Sequence, residues 1–215
     1  MHLKTTFPIA ELTAIFEKHV NITIYDSSQI EEIANIDPLG LHEIGANVWM
    51  HYIESGAKVK PQKLASYFQQ QDPYLYKAIE KIIKRKAIQE IVLVNAEIED
   101  PSLTFRRCGK ALLARTYPNN LHISYVEFNN PYKPIEATDK KFTHHKYKSL
   151  GLFSQLLQNL TMFAKANRIR KITLSASTNE QYQYFQQHGF TLEKNAFASA
   201  ALERGTTIPM ELLIN

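Results

Sequence analysis

The chain has 215 residues, 44% of them hydrophobic and 21% charged, and a formal net charge of +4. That length and balance suit one globular domain with a substantial core, and the modest positive excess suits an anionic ligand or nucleic acid without choosing between them. No apolar run reaches the roughly 20 residues that cross a bilayer, which argues against a membrane partner, and Met1 to Thr6 lacks the apolar stretch of a signal peptide.

Taken in order, Ile9, Leu12, Ile15, Phe16 and Val20 predict an opening helix, and Ile22-Thr23-Ile24-Tyr25 a short strand behind it. Asp26-Ser27-Ser28 is placed to cap a helix running through Ile30 and Ile33. From Leu39 to Lys86 the spacing is largely helical, through Leu41, Ile44, Val48, Trp49, Tyr52, Leu64, Phe68, Leu75, Ile79, Ile82 and Ile83, with breaks expected at Gly56 and at Asp72-Pro73. Lys81, Lys84, Arg85 and Lys86 form a basic run at that helix end, where cations complement the helix dipole. Ile91 to Val94, a segment within Lys110 to Tyr117, and Leu121 to Phe128 predict antiparallel strands, the last two joined by a turn at Asn119-Asn120. Asn129 to Tyr147 is a polar loop carrying Pro and Lys.

After Tyr147-Lys148-Ser149-Leu150-Gly151-Leu152-Phe153-Ser154 the residues Leu152, Leu156, Leu160, Phe163 and Ala164 fall on one helical stripe. The first amides of a helix have no internal acceptors and the dipole is positive there, so a loop entering through Gly151 offers donors to an anion such as a pyrophosphate, with Lys148 as a cation beside them. Ile172, Leu174 and Ala176 then alternate as a strand. Ser177 and Glu180 stand at capping-box spacing and start a helix near Thr178, which Gly189 ends. Phe190 opens a short strand, and Met210, Leu212 and Ile214 alternate in a final one.

This order, with the loop from Lys148 to Ser154 and the His188-Gly189-Phe190 turn, resembles the acyl-coenzyme A binding half of a GCN5-related N-acetyltransferase; the match is carried by Leu121 to Asn215. The resemblance implies a mixed α/β (α+β) fold, a mostly antiparallel central sheet flanked by helices. It implies a single domain over 1–215, with an enlarged, mostly helical part at 1–88 and the sheet and cofactor-binding part at 89–215. Lys148 takes the Arg or Gln place of the family's loop and Gly151 its central glycine, while Phe153 departs from the last, small-residue place.

The implied reaction is transfer of an acyl group, acetyl first, from acetyl-CoA or another acyl-CoA to an amine by direct attack in a ternary complex. The implied cofactor contacts are Tyr125 and Val126 on the central strand, then Lys148, Ser149, Leu150, Gly151, Leu152, Phe153 and Ser154, and Asn179 and Phe185 on the helix that follows. Glu127 is the candidate general base; alternation along a regular strand puts it on one face with Tyr125 and Ile123. The family's Tyr beside the thioester sulfur falls on Phe185, which has no hydroxyl, so Tyr184 or Tyr182 is the stand-in acid.

Phe153 and Phe185 also motivate a second reading, a coenzyme A-binding regulatory module without turnover. A third, nucleic-acid binding, would use Lys133, Lys140, Lys141 and Lys146 with Tyr132 and Phe142. The neighbours His144-His145 are poorly spaced for a metal, and none is expected. Cys108 is alone, which excludes an intrachain disulfide and fits the cytoplasm, with export by a route that needs no signal left open; Cys108 reads as structural.

Overall fold

A computed structural model describes residues 2–56, 61–136, 138 and 146–214. His144-His145, and Lys140, Lys141 and Phe142 of the basic loop, lie outside the described residues. The described elements run in the order α1 (Ile9–Ala14), β1 (Val20–Asp26), α2 (Ile30–Ile36), α3 (Pro38–Glu54), α4 (Ala65–Gln69), α5 (Leu75–Ile83), β2 (Ile88–Ile98), β3 (Arg107–Thr116) and β4 (Asn120–Pro134). They continue with β5 (Tyr147–Ser149), α6 (Phe153–Ala166), β6 (Lys171–Ala176), α7 (Asn179–Gln187), β7 (Thr191–Leu192), α8 (Ala196–Arg204) and β8 (Ile208–Leu213).

The strands form one sheet in the order β1-β2-β3-β4-β6-β8-β7, with β5 paired to β4 outside that path. Every neighbouring pair is antiparallel except β4 and β6. Alternation along the strands divides the core in two. Val92, Val94, Ala111, Leu113, Leu121 and Ile123 pack with α1, α6 and α7 on one face; Ile91, Leu93, Leu112 and Ala114 pack with α2, α3 and α5 on the other.

Helix α3 lies along β4 on this second face. Asp37 caps it by accepting from the Gly40 amide at 3.0 Å, and Pro38 fills its first position, where no amide hydrogen is needed. The approach is close at Gly40: a Cβ there would come within 2.5 Å of Leu112 Cδ2. Further along the same helix His51 meets Asn120, its Nδ1 3.4 Å from Asn120 Nδ2. The helix therefore spans the first half of β4.

Several local features differ from expectation. The opening helix stops at Ala14, because Val20 is needed as the first residue of β1. The cap of α7 sits one residue later than Ser177: Thr178 accepts from the Gln181 amide at 3.3 Å, and Gln181 Oε1 returns to the Ser177 amide at 2.8 Å. Helix α8 was not anticipated; Asn195 caps it by accepting from the Ala198 amide at 2.7 Å. The loop after Phe128 begins as strand, since β4 continues to Pro134 and β5 returns against it.

Candidate functional site

The central strand is interrupted by a bulge. Leu112 of β3 faces Tyr125 and Leu113 faces Ile123, so Ser124 is an extra residue with no partner across the ladder. The bulge corrects the facial assignment made by simple alternation. Ile123 points into the core beneath α6, while Tyr125 and Glu127 share the opposite face with Lys110 and α3.

On its other edge β4 pairs with β6 only at Leu121↔Ile172, His122↔Thr173 and Ile123↔Leu174. Further along β4 the Leu150 amide donates to the Phe128 carbonyl at 3.0 Å and β5 joins at Asn129. Among the described residues no strand pairs with Ser124 to Glu127 along this edge. The opening spans four residues, about 13 Å at strand rise. Backbone donors and acceptors of β4 that lack a strand partner are a template for an extended ligand.

One end of the opening meets the loop into α6. Lys148, Ser149 and Gly151 are exposed, and Gly151 has φ +71°, a left-handed conformation that a glycine adopts without strain. No side chain caps the start of α6; Leu152 is at the N-cap, and Ser149 Oγ accepts from the Gly151 amide at 3.2 Å. Phe153 turns inward. It is buried against Phe185, with ring centroids 5.3 Å apart, so its side chain belongs to the core and only its backbone faces the loop.

Phe185 is 9% exposed and packs on Phe153 and Phe190. Tyr184 is 43% exposed and sits over His188, centroids 4.6 Å apart; partial burial raises its phenol above the ordinary range. His188 also reaches Ser154 Oγ at 3.2 Å, which ties the end of α7 to the start of α6. A groove of about 480 Å³ runs from Ser154 and His188 along α6 to Lys165. Tyr182 packs against the core and accepts from Gln186 at 3.1 Å. Asn179 opens α7 and lies against Gly205 at the end of α8.

On the α3 side, Glu127 is fully engaged. Its Oε2 accepts from the Tyr125 hydroxyl at 2.5 Å and from Arg107 at 3.4 Å, and its Oε1 accepts from Asn129. Tyr125 is raised, first by burial and then by the adjacent Glu127 carboxylate. Lys110 stands 4.7 Å above the Tyr125 ring and pairs with Asp37 at 2.6 Å. Val126 points to the opposite face, toward the α6 core.

Three residues at the point where the strands part were missed in the sequence. His122, wholly buried on β4, has Nδ1 2.9 Å from Thr173 Oγ1 and Nε2 3.6 Å from Glu43 Oε1. Ser124 Oγ donates to Glu43 Oε2 at 2.8 Å and to the Gly40 carbonyl at 3.0 Å. An i-to-i+3 step from Gly40 to Glu43 along α3 was the available signal, but their meeting with β4 is a tertiary fact.

Deeper in, His51 Nε2 lies 3.2 Å from Glu193 Oε1, and Lys171 bridges Glu193 at 3.7 Å and Glu211 at 2.8 Å. Burial pushes Glu193 up, but the His51 hydrogen bond and the charges of His51, Lys171 and His122 outweigh it and leave it below the usual range. Cys108 is buried under β2, donating to the Ala96 carbonyl at 3.4 Å; burial pushes its thiol up to about 11, which suits a structural residue and not a nucleophile. No helix among the described residues is long and apolar enough to cross a membrane.

No family model and no curated protein matches the chain. Among solved structures it is similar to a provisionally assigned streptothricin acetyltransferase from Bacillus anthracis str. Ames in complex with acetyl coenzyme A, at 17% identity and TM-score 0.36, covering 58% of this chain and 63% of that one. It is also similar to an acetyltransferase of the GNAT family from Staphylococcus aureus Mu50, at 17% identity and TM-score 0.39, covering 92% and 100%. A third likeness is to an acetyltransferase from Streptococcus agalactiae 2603, at 14% identity and TM-score 0.36, covering 92% and 99%. The fold is read from the strand order itself and from the one parallel pair that parts midway. What the resemblance implied of the architecture is what is observed, a mixed α/β fold with a mostly antiparallel central sheet flanked by helices.

Proposed function

We propose that the chain is an N-acyltransferase that moves acetyl from acetyl-CoA to an amine by direct attack. The observation that carries this reading is the four-residue opening on β4, bounded by the parting from β6 at one end and by the exposed loop into α6 at the other. An extended pantetheine arm pairs with the free edge from Ser124 to Glu127, with Tyr125 and Val126 as its contacts. The pyrophosphate rests on the amides from Gly151 to Ser154, beside Lys148, Ser149 and Leu150. Asn179 and Phe185 support the arm from α7.

Coenzyme A supplies the activated thioester, and the protein's part is to hold the acyl carbon next to the amine. Orientation and preorganised donors provide most of the rate. Tyr184 is the exposed hydroxyl on α7 nearest in sequence to Phe185, yet a thiolate leaves without a dedicated acid. The acceptor enters from the α3 side, where the polar side chains of β4 gather.

Phe185 and the engaged state of Glu127 favour one alternative, a coenzyme A-binding module without turnover. Release of free thiol from acetyl-CoA over a panel of amines separates the two. Amine-dependent release is the expected result; saturable acetyl-CoA binding with no release from any amine points to the binding module.

A further inference from the structure

His122 and Glu43 form a pair that the cofactor does not need. His122 is 0% exposed, and its Nε2 has no hydrogen-bond partner among the described residues. A buried polar atom left in this state costs free energy, so its position calls for an explanation. It sits in the second of the three β4–β6 pairs, immediately before the strands part, and its nearest charged group is the Glu43 carboxylate. The Glu43 side chain is 31% exposed, so it reaches from the buried imidazole out into the cleft. Its Oε2 is fixed by Ser124, the bulge residue at the mouth of the opening. Thr173 Oγ1 at Nδ1 fixes the ring so that Nε2 faces the Glu43 carboxylate.

Glu127, the other carboxylate near the opening, already accepts from three side chains on both of its oxygens. Those donors stabilise the ionised form of Glu127 and make it the weaker base of the two. Glu43 Oε1 has no hydrogen-bond donor among the described residues, the imidazole standing 3.6 Å away, and can take a proton.

Resting on the acetyltransferase reading, we propose that Glu43 binds and deprotonates the acceptor, and that the acceptor is a primary amine cationic at neutral pH. The ammonium gives one proton to Glu43. The freed nitrogen lone pair then forms the bond to the acyl carbon while the carbon–sulfur pair leaves on sulfur. The proton lost by the amide nitrogen goes to the thiolate and Glu43 releases its own to solvent, so ammonium and acetyl-CoA give amide, free thiol and one proton. His122 is a positioning residue that holds the carboxylate toward the opening, with Thr173 fixing the ring.

The test compares the unaltered chain, Glu43→Gln and Glu43→Asp with three acceptors: 1,4-diaminobutane, Nα-acetyl-lysine amide and methoxyamine, the last uncharged at neutral pH. Acetyl-CoA binding is measured on each protein as a check of folding, and Gln still accepts from Ser124. The expected result is a loss of kcat/KM in Glu43→Gln of roughly 100-fold or more for the two cationic amines, a much smaller loss for methoxyamine, partial recovery in Glu43→Asp, and unchanged acetyl-CoA binding. Equal losses for charged and uncharged amines, no loss, or thiol release with methoxyamine but with neither cationic amine would overturn this inference alone; acetyl-CoA binding with no release from any amine would overturn the acyltransferase reading as well. Absence of acetyl-CoA binding by the unaltered chain overturns the acetyltransferase reading and this inference with it.

Discussion

Glu43, His122 and Ser124 show how the function of a side chain depends on what the fold places beside it. In the sequence, Glu43 is one acidic residue on an amphipathic helix and His122 one polar residue in a strand; across more than 75 positions they become neighbours at the mouth of the opening. Glu127 was legible as a carboxylate on the central strand, but its full set of donors was not, because Arg107 reaches it across the ladder from β3. Its grouping with Tyr125 holds, and its grouping with Ile123 fails because one bulged residue reverses the alternation. Phe185 could be placed by counting back from Gly189, and its burial beside Phe153 follows from two large apolar rings meeting where α6 and α7 cross. Cys108 provides a simple check at this scale. With its thiol pushed up to about 11 and wholly buried, it should resist a thiol reagent at neutral pH until the chain is unfolded; rapid modification of the native protein would contradict the packing described under β2.

At the scale of elements, α3 brings Glu43 to His122 and Ser124 of β4, and it can do so only by lying close to the sheet. Gly40 permits that approach. Gly40→Ala would drive a methyl group to 2.5 Å from Leu112 Cδ2 and 2.8 Å from Asp37 Oδ1, so the helix must shift outward. A loss of about 2 kcal/mol in denaturant unfolding is expected, together with weaker acceptor use, since Glu43 moves with the helix; unchanged stability would show that α3 is not so closely seated.

The other end of α3 is joined to the β7–α8 connection by His51 and Glu193. Glu193 ionises below its ordinary value near 4.5 in the folded chain, so the stability it contributes is complete above that pH and disappears as pH falls through the lowered folded value. Glu193→Gln should therefore cost about 3 kcal/mol at pH 7, as expected for breaking a buried pair, with the difference shrinking in thermal melts taken progressively below pH 4.5. A difference independent of pH would mean that packing, not charge, is what Glu193 supplies.

Elements were legible in proportion to their length and periodicity. The helix after Gly151 and the strand at Ile172 followed from their stripes, whereas α8 is a short helix whose apolar residues are mostly alanines, and β5 is three residues held by pairing to β4 alone.

Across the whole molecule, two apolar layers clamp one sheet, and the working features fall along the single line where that sheet opens. The α6 layer carries the exposed loop at Lys148, Ser149 and Gly151, and the α3 layer carries Glu43. The division was partly visible in the sequence, because the stretch from Leu121 onward carries the family's loop and strand order, while the acceptor layer is drawn from the helical N-terminal part and matches no pattern. A net charge of +4 did not foretell the half-buried Glu43 beside β4, because a whole-chain sum carries no information on where single charges fall. The central claim is that the opening on β4 and the loop into α6 hold an acyl-CoA. Calorimetric titration of acetyl-CoA tests it directly, on the unaltered chain, on Lys148→Glu, and on Gly151→Val, which puts a β-branched residue where φ is +71°. The account predicts saturable binding to the unaltered chain and weakening of roughly tenfold or more, about 1.4 kcal/mol, in both variants. No binding by the folded chain, or binding untouched by either substitution, would contradict it.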